Sequence, residues 1–104
     1  MARFDVYANP FAPDRTHTPY VLDVQSDHLG PLATHVVIPL RTPKGFGALA
    51  RGLNPMLRVD GRDVVLDTAS LAPVPTSMLK KPVARLERQR EDILDAIDTL
   101  FGAF

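Results

Sequence analysis

The side chains with most to offer chemically are His17, His28 and His35, the serine of Gln25-Ser26-Asp27, and the basic run Arg41-Thr42-Pro43-Lys44-Gly45. Histidine can ligate a metal or move a proton near neutral pH, but metal ligands recur at fixed helical or turn spacings, which these three do not. They read as surface or packing histidines, and neither a metal nor a cofactor is expected. Ser26 with His28 as its base resembles half of a hydrolytic site. Neighbouring residues of a strand point to opposite faces, however, and no nucleophile elbow surrounds the serine. A turn that ends a strand explains Ser26-Asp27 equally well. The basic run is able to contact phosphate, although on a neutral chain a solvated loop is the plainer reading. With no cysteine, disulfides, thiolate catalysis and Cys-based zinc sites are excluded. No catalytic residue is expected.

The last quarter of the chain is more informative. Arg88 and Asp92 stand four apart and Glu87 and Arg90 three apart, spacings that support an exposed helical face. Asp95 and Asp98 fall near the negative end of that helix, where the dipole favours cations. The chain then finishes Leu100-Phe101-Gly102-Ala103-Phe104, with aromatic residues in a position that ordinarily frays and is polar. Two accounts fit. Phe101 and Phe104 complete the protein's own core or a dimer seam, or they form a binding tip, flanked by acid, for a basic partner.

These residues must be positioned by one domain spanning residues 1–104. A chain of this length buries roughly 65% of its unfolded surface and has no room for two cores. Its 45% hydrophobic and 23% charged residues are those of an ordinary globular domain, without a membrane-spanning run. Twelve basic and twelve acidic residues balance, which disfavours direct nucleic-acid binding. The opening Met1-Ala2-Arg3-Phe4-Asp5 carries none of the features of a secretory signal, so a cytoplasmic location and no membrane association are expected.

Phe4–Tyr7 and Tyr20–Gln25 alternate at period two and predict half-buried strands, separated by a Pro-rich loop over Asn9–Pro19. His35–Leu40 is a third, in which Pro39 predicts an edge or a bulge rather than a sheet centre. Met56–Val59 and Arg62–Leu66 flank Asp60-Gly61, the pair suited to a type I′ hairpin turn. Thr42–Pro55 is open between a small ribbon, a short helix and a mobile loop, and Ala72–Pro75 reads as a buried connector or edge. From Pro82 the period lengthens. Leu86, Ile93, Ile97, Leu100 and Phe104 recur at sevens, fours and threes, predicting a helix from near Pro82 to the chain end. Antiparallel strands followed by one helix make a mainly β fold: a small, partly open barrel or sandwich with a long C-terminal helix against it.

The run Asp23-Val24-Gln25-Ser26-Asp27 resembles the D-V-Q-S-D of the CcdB toxin family. The resemblance continues through Phe4-x-Val6-Tyr7, Val37-Ile38-Pro39-Leu40, Pro73-Val74-Pro75-x-Ser77 and Asp92-Ile93-x-x-Ala96-Ile97-Asp98-x-x-Phe101, in order along nearly the whole chain. It implies an SH3-like, barrel-type toxin fold, a homodimer, and a non-enzymatic toxin of a toxin–antitoxin pair. Such a toxin binds the A subunit of DNA gyrase, traps the cleaved complex of gyrase with DNA, and is neutralised by a CcdA-like antitoxin. By position, Phe4, Tyr7 and Ser26 match family residues linked to toxicity, and Phe101 matches the aromatic that opens the terminal segment. Arg3, His28, Leu29 and Asp98 occupy equivalent positions but differ in type.

The ending departs from the family's Phe-Trp-Gly-Ile, since Phe101 is followed here by Gly102, Ala103 and Phe104. A glycine cannot stack on a partner's arginine, so Phe104 or Phe101 is expected to act as the aromatic anchor, with Asp98 adding charge complementarity. Two alternatives stand beside this reading. One is a MazF-like ribonuclease on a related fold, using Arg41, Lys44 or Arg58. The other is a CcdB-like protein with a changed or lost target.

Overall fold

A computed structural model describes residues 2–102. Seven strands are joined in one antiparallel sheet: β1 (Asp5–Ala8), β2 (Tyr20–Asp23), β3 (Thr34–Arg41), β4 (Met56–Val59), β5 (Arg62–Leu66), β6 (Ala72–Pro75) and β7 (Ala84–Arg85). Two helices accompany them, the single turn α1 (Pro43–Phe46) and the 12-residue α2 (Arg90–Phe101). The strand order is β4-β5-β3-β2-β1-β7, with β6 also on β3. The sheet curls into a nearly closed barrel with one seam, between its terminal strands β4 and β7.

Alternation along the strands builds two cores. Val6, Leu22, Ile38 and Leu40 face the barrel interior with Leu57, Val64 and Leu66, and α2 closes that interior with Ile93 and Ala96. Tyr7, Val21 and Val37, one residue out of phase, join Val74 and Leu79 in a smaller cluster on the other face. The consecutive apolar pairs Val6-Tyr7, Val21-Leu22 and Val37-Ile38 are thus the mark of a sheet covered on both sides, one member of each pair in either core.

The hairpin forms as predicted, with Val59 paired to Arg62. Asp60 and Gly61 both have positive φ, 50° and 81°, the demand that a type I′ turn makes. Residues 42–55 resolve into the one-turn α1 followed by turns, and β6 is an edge strand, as its prolines require.

Three expectations are corrected. Pro39 does not lie on an edge: β3 is the central strand, paired to β2 along Val37–Leu40. Its proline sits where the other flank changes partner, from β6 up to Val37 to β5 from Leu40. The Pro39 carbonyl on that flank accepts the Asp67 N–H at 3.0 Å, and the missing N–H falls in the gap between the two partners. The first strand begins at Asp5, because Phe4 has a left-handed φ of 74°. The last helix begins at Arg90 rather than near Pro82. Ala84 and Arg85 pair with Val6 and Asp5 as β7, and a 3-10 turn over Glu87–Gln89 precedes α2. Arg88 therefore lies before the helix and forms no ion pair with Asp92, whereas Arg90 reaches Glu87 at 3.2 Å.

Candidate interaction site at the end of the C-terminal helix

The segment that follows β2 is held largely by side chains. Asp23 Oδ1 accepts the Gln25 N–H and its Oδ2 meets His35 Nδ1 at 2.9 Å. Gln25 then extends the sheet with its amide, accepting the Val36 N–H at 3.0 Å and donating to the Thr34 carbonyl at 3.2 Å. Ser26 Oγ accepts the His28 N–H at 3.2 Å and caps a 3-10 turn over Asp27–Leu29. Arg3 ties the chain start to this turn, its N–H donating to Asp27 Oδ1 at 2.7 Å and its Nε to the Val24 carbonyl at 3.0 Å. Burial pushes the Asp23 carboxyl above its ordinary value, while the Gln25 N–H and the His35 imidazole pull it back.

This stapling sets a groove of about 350 Å³ between the turn and the last turn of α2. Val24, Val36, Leu71 and Ile97 supply apolar lining, Leu29 and Phe101 stand at its sides, and Arg3 and Ser26 are polar members. Leu29 and Phe101 are 58% and 67% exposed, more than any other large apolar side chain described. Asp98 is exposed one turn before Phe101, and Gly102 ends α2 with a left-handed φ of 67°, its N–H returning to the Asp98 carbonyl. Among the described residues Glu91, Asp92, Asp95 and Asp98 have no ion-pair partner. The apolar groove, whose one charged lining residue is Arg3, thus adjoins a helix that carries unpaired carboxylates, an arrangement suited to a partner that brings an apolar group to the groove and a cation to the helix.

Of the residues singled out in the sequence, Ser26, Leu29 and Phe101 come together in this groove, with His28 in the capped turn and Asp98 and Gly102 on the adjoining helix end. Phe4 lies beneath it: its ring is buried in the barrel interior, and the Arg3 guanidinium sits over it at 5.2 Å. Tyr7 is elsewhere, 2% exposed in the cluster on the other face of the sheet, with a hydroxyl that meets no partner among the described residues. Burial, reinforced by the negative charge of Asp5 and Asp23, raises that hydroxyl to about 12. Ala103 and Phe104 lie outside the described residues. Val36 and Leu71 belong to the groove without any mark in the sequence. Nothing local distinguishes them, because they reach it only through the pairing of β3 with β2 and the turn before β6.

Two of the remaining chemical candidates, Arg41 and Arg58, are engaged locally. Arg41 faces Asp67 at 3.6 Å and packs over Phe46, and Arg58 pairs with Asp63 at 3.4 Å. No three described His, Asp or Glu side chains are grouped as metal ligands, and no described helix is long and apolar enough to cross a membrane.

The family model described as CcdB protein matches residues 3–102. This chain belongs to the CcdB family. It is accordingly a toxin of the toxin–antitoxin kind, with an antitoxin as partner. The CcdB match takes in every strand, both helices and the whole groove, and it stops at Gly102.

Proposed function

We propose that this CcdB family member poisons DNA gyrase: it binds the A subunit of the enzyme through the groove at the end of α2, holds gyrase on cleaved DNA, and is released by a CcdA-like antitoxin. The observation that carries this reading is Phe101, two-thirds exposed on the last turn of α2, beside an apolar groove and unpaired carboxylates. An aromatic ring held on a rigid helix loses little freedom on binding and makes a natural anchor. Phe104 or Phe101 takes the role of the tryptophan found in the family's usual ending. Ser26 and Leu29 form the opposite wall, with His28 exposed on the same turn, and Asp98 attracts a basic surface. Phe4 acts from below, by supporting Arg3. Tyr7, given its burial, acts on the fold rather than on the partner.

The action is by binding and not by catalysis, and needs no cofactor. The ribonuclease reading asks for free cationic side chains at an RNA site; of its three candidates Arg41 is attached to Asp67 and Arg58 to Asp63, which weighs against it, and Lys44 alone has no ion pair among the described residues. The working species is a homodimer in the cytoplasm, joined through a surface other than this groove.

The test is to mix the protein with gyrase of its own host and supercoiled DNA, and to look for trapped cleavage complexes. The full chain is expected to give linear DNA on denaturation, and a chain truncated after Leu100 to give none. Phe101→Ala and Phe104→Ala, assayed separately, apportion the anchor between them. If both single variants retain full cleavage, the anchor assignment is wrong; if the full chain traps nothing, gyrase is not the target.

A further inference from the structure

No backbone ladder crosses the seam between β4 and β7, yet Arg58 on β4 keeps both of its outward-facing backbone groups bonded. Its N–H donates to Gln89 Oε1 at 3.0 Å, and its carbonyl accepts from Gln89 Nε2 at 3.0 Å. The hairpin register explains why these groups face the seam. Val59 and Arg62 flank the two-residue turn, Leu57 pairs with Val64, and Arg58 stands opposite Asp63. Residues of an antiparallel ladder exchange bonds at alternate pairs, so Val59 and Leu57 are tied to β5 while Arg58 turns its N–H and C=O the other way. A carboxamide offers one acceptor and two donors in a plane, much as a peptide unit does. The Gln89 side chain thus occupies the place that one residue of a neighbouring strand would fill.

Gln89 is also the N-cap residue of α2, and its side chain makes no capping bond there. The chain enters α2 from Leu86, buried in the barrel interior with its N–H on the Phe4 carbonyl at 2.9 Å, and the Gln89 amide is the polar tie to β4 at the start of the helix. Packing follows: Ile93 and Ala96, both fully buried, sit in the interior one and two turns later, with Leu94 and Ile97 against it. Packed apolar contacts resist separation more than small tilts, whereas the two bonds of a planar amide fix direction as well as distance. A helix of 12 residues spans about 18 Å, so a pivot of about 10° at its start moves its far end by roughly 3 Å. That displacement is enough to open or close the groove beside Phe101.

We propose that Gln89 is a positioning residue whose carboxamide fixes α2 to β4 and so sets where Phe101 meets the groove, an assignment that rests on the reading of Phe101 as the partner-binding aromatic. Length and both bonding groups are required. Methionine keeps the length and loses both bonds. Glutamate keeps the acceptor for the Arg58 N–H but places a second oxygen against the Arg58 carbonyl.

The chain has no tryptophan, so Phe101→Trp introduces a single indole at the end of α2 that reports its surroundings without any partner. In that background Gln89→Met and Gln89→Glu are expected to shift the emission maximum and lower the anisotropy. Val74→Ala, which loosens the outer cluster away from the seam, should leave both unchanged at matched folded fraction. In the otherwise native chain, Gln89→Met should weaken binding to gyrase by about tenfold, while Val74→Ala binds as the native protein does. Indole signals unmoved by either Gln89 variant would overturn the proposal, as would equal binding losses for Gln89→Met and Val74→Ala. Should the native chain not bind gyrase at all, the functional reading fails, and the indole measurement still decides the role of Gln89. Should Gln89→Met not fold, hydrogen exchange of the native protein decides: the Arg58 amide is expected to be protected although it faces no strand, and fast exchange there rejects the assignment.

Discussion

Tyr7 illustrates how a side chain that looks functional in sequence can be structural in place. Its ring fills the outer cluster, and its hydroxyl lies near Asp5 and Asp23, so ionisation is opposed by burial first and by those carboxylates second. The proton that an unfolded tyrosine releases near 10 is therefore kept to about 12 in the folded protein. Because the native state binds the extra proton in that interval, stability is expected to fall as pH rises from 10 towards 12. Chemical denaturation at a series of alkaline pH values should show this decline, and Tyr7→Phe should remove part of the slope. Near neutral pH the same substitution should cost little, since the hydroxyl has no partner to lose. On the proposed reading, gyrase trapping by Tyr7→Phe should equal that of the native chain, whereas Phe101→Ala should weaken it.

At the scale of elements, α2 carries a conflict between stability and use. Its first turn holds Glu91 and Asp92, which suit the positive end of the dipole, but its last turn holds Asp98 and no basic residue. Asp98→Lys is expected to raise the melting temperature by roughly 1–5 °C at low ionic strength. The same change should weaken binding to a basic partner and flatten its salt dependence, measured by titration at two ionic strengths. Gly102→Ala tests the other device at this end. With φ at 67° an alanine is strained there by about 1 kcal/mol, and circular dichroism should show a frayed last turn. The start of α2 differs from the sequence expectation for a physical reason. Leu86 lies seven residues before Ile93, which continues a helical period, yet its burial comes from the strand and turn that follow Pro82. Periodicity registers that a residue is buried, without saying which element buries it.

For the whole molecule, closure of the barrel depends on polar side chains at the points where ladders stop. Asn54 illustrates this: it accepts the Ala50 N–H and donates to the Leu66 carbonyl, while Thr68 Oγ1 reaches the Leu53 carbonyl at 2.6 Å. Together they fasten residues 42–55, a stretch with no strand, to the end of β5. Asn54→Ala is expected to lower stability by roughly 1–3 kcal/mol, because it leaves the Ala50 N–H and the Leu66 carbonyl without that partner. Urea denaturation is the measurement. Gln25 at the end of β2 and Gln89 at the seam act in the same way.

What the sequence determined by itself was local in origin. Alternation marked the strands because successive side chains face opposite sides, and Asp60-Gly61 marked the hairpin because few pairs accept two positive φ angles. The ordered CcdB-like runs added the family. What only the tertiary structure decided depends on residues far apart in the chain. It put Pro39 in a central strand at the gap between two partners, brought Val36 and Leu71 to a groove with Ile97 and Phe101, and turned Tyr7 away from it. It also showed that one side-chain amide, that of Gln89, spans a seam for which the backbone has no strand. Such placements follow from pairing and packing over long separations, and no short run of residue types encodes them.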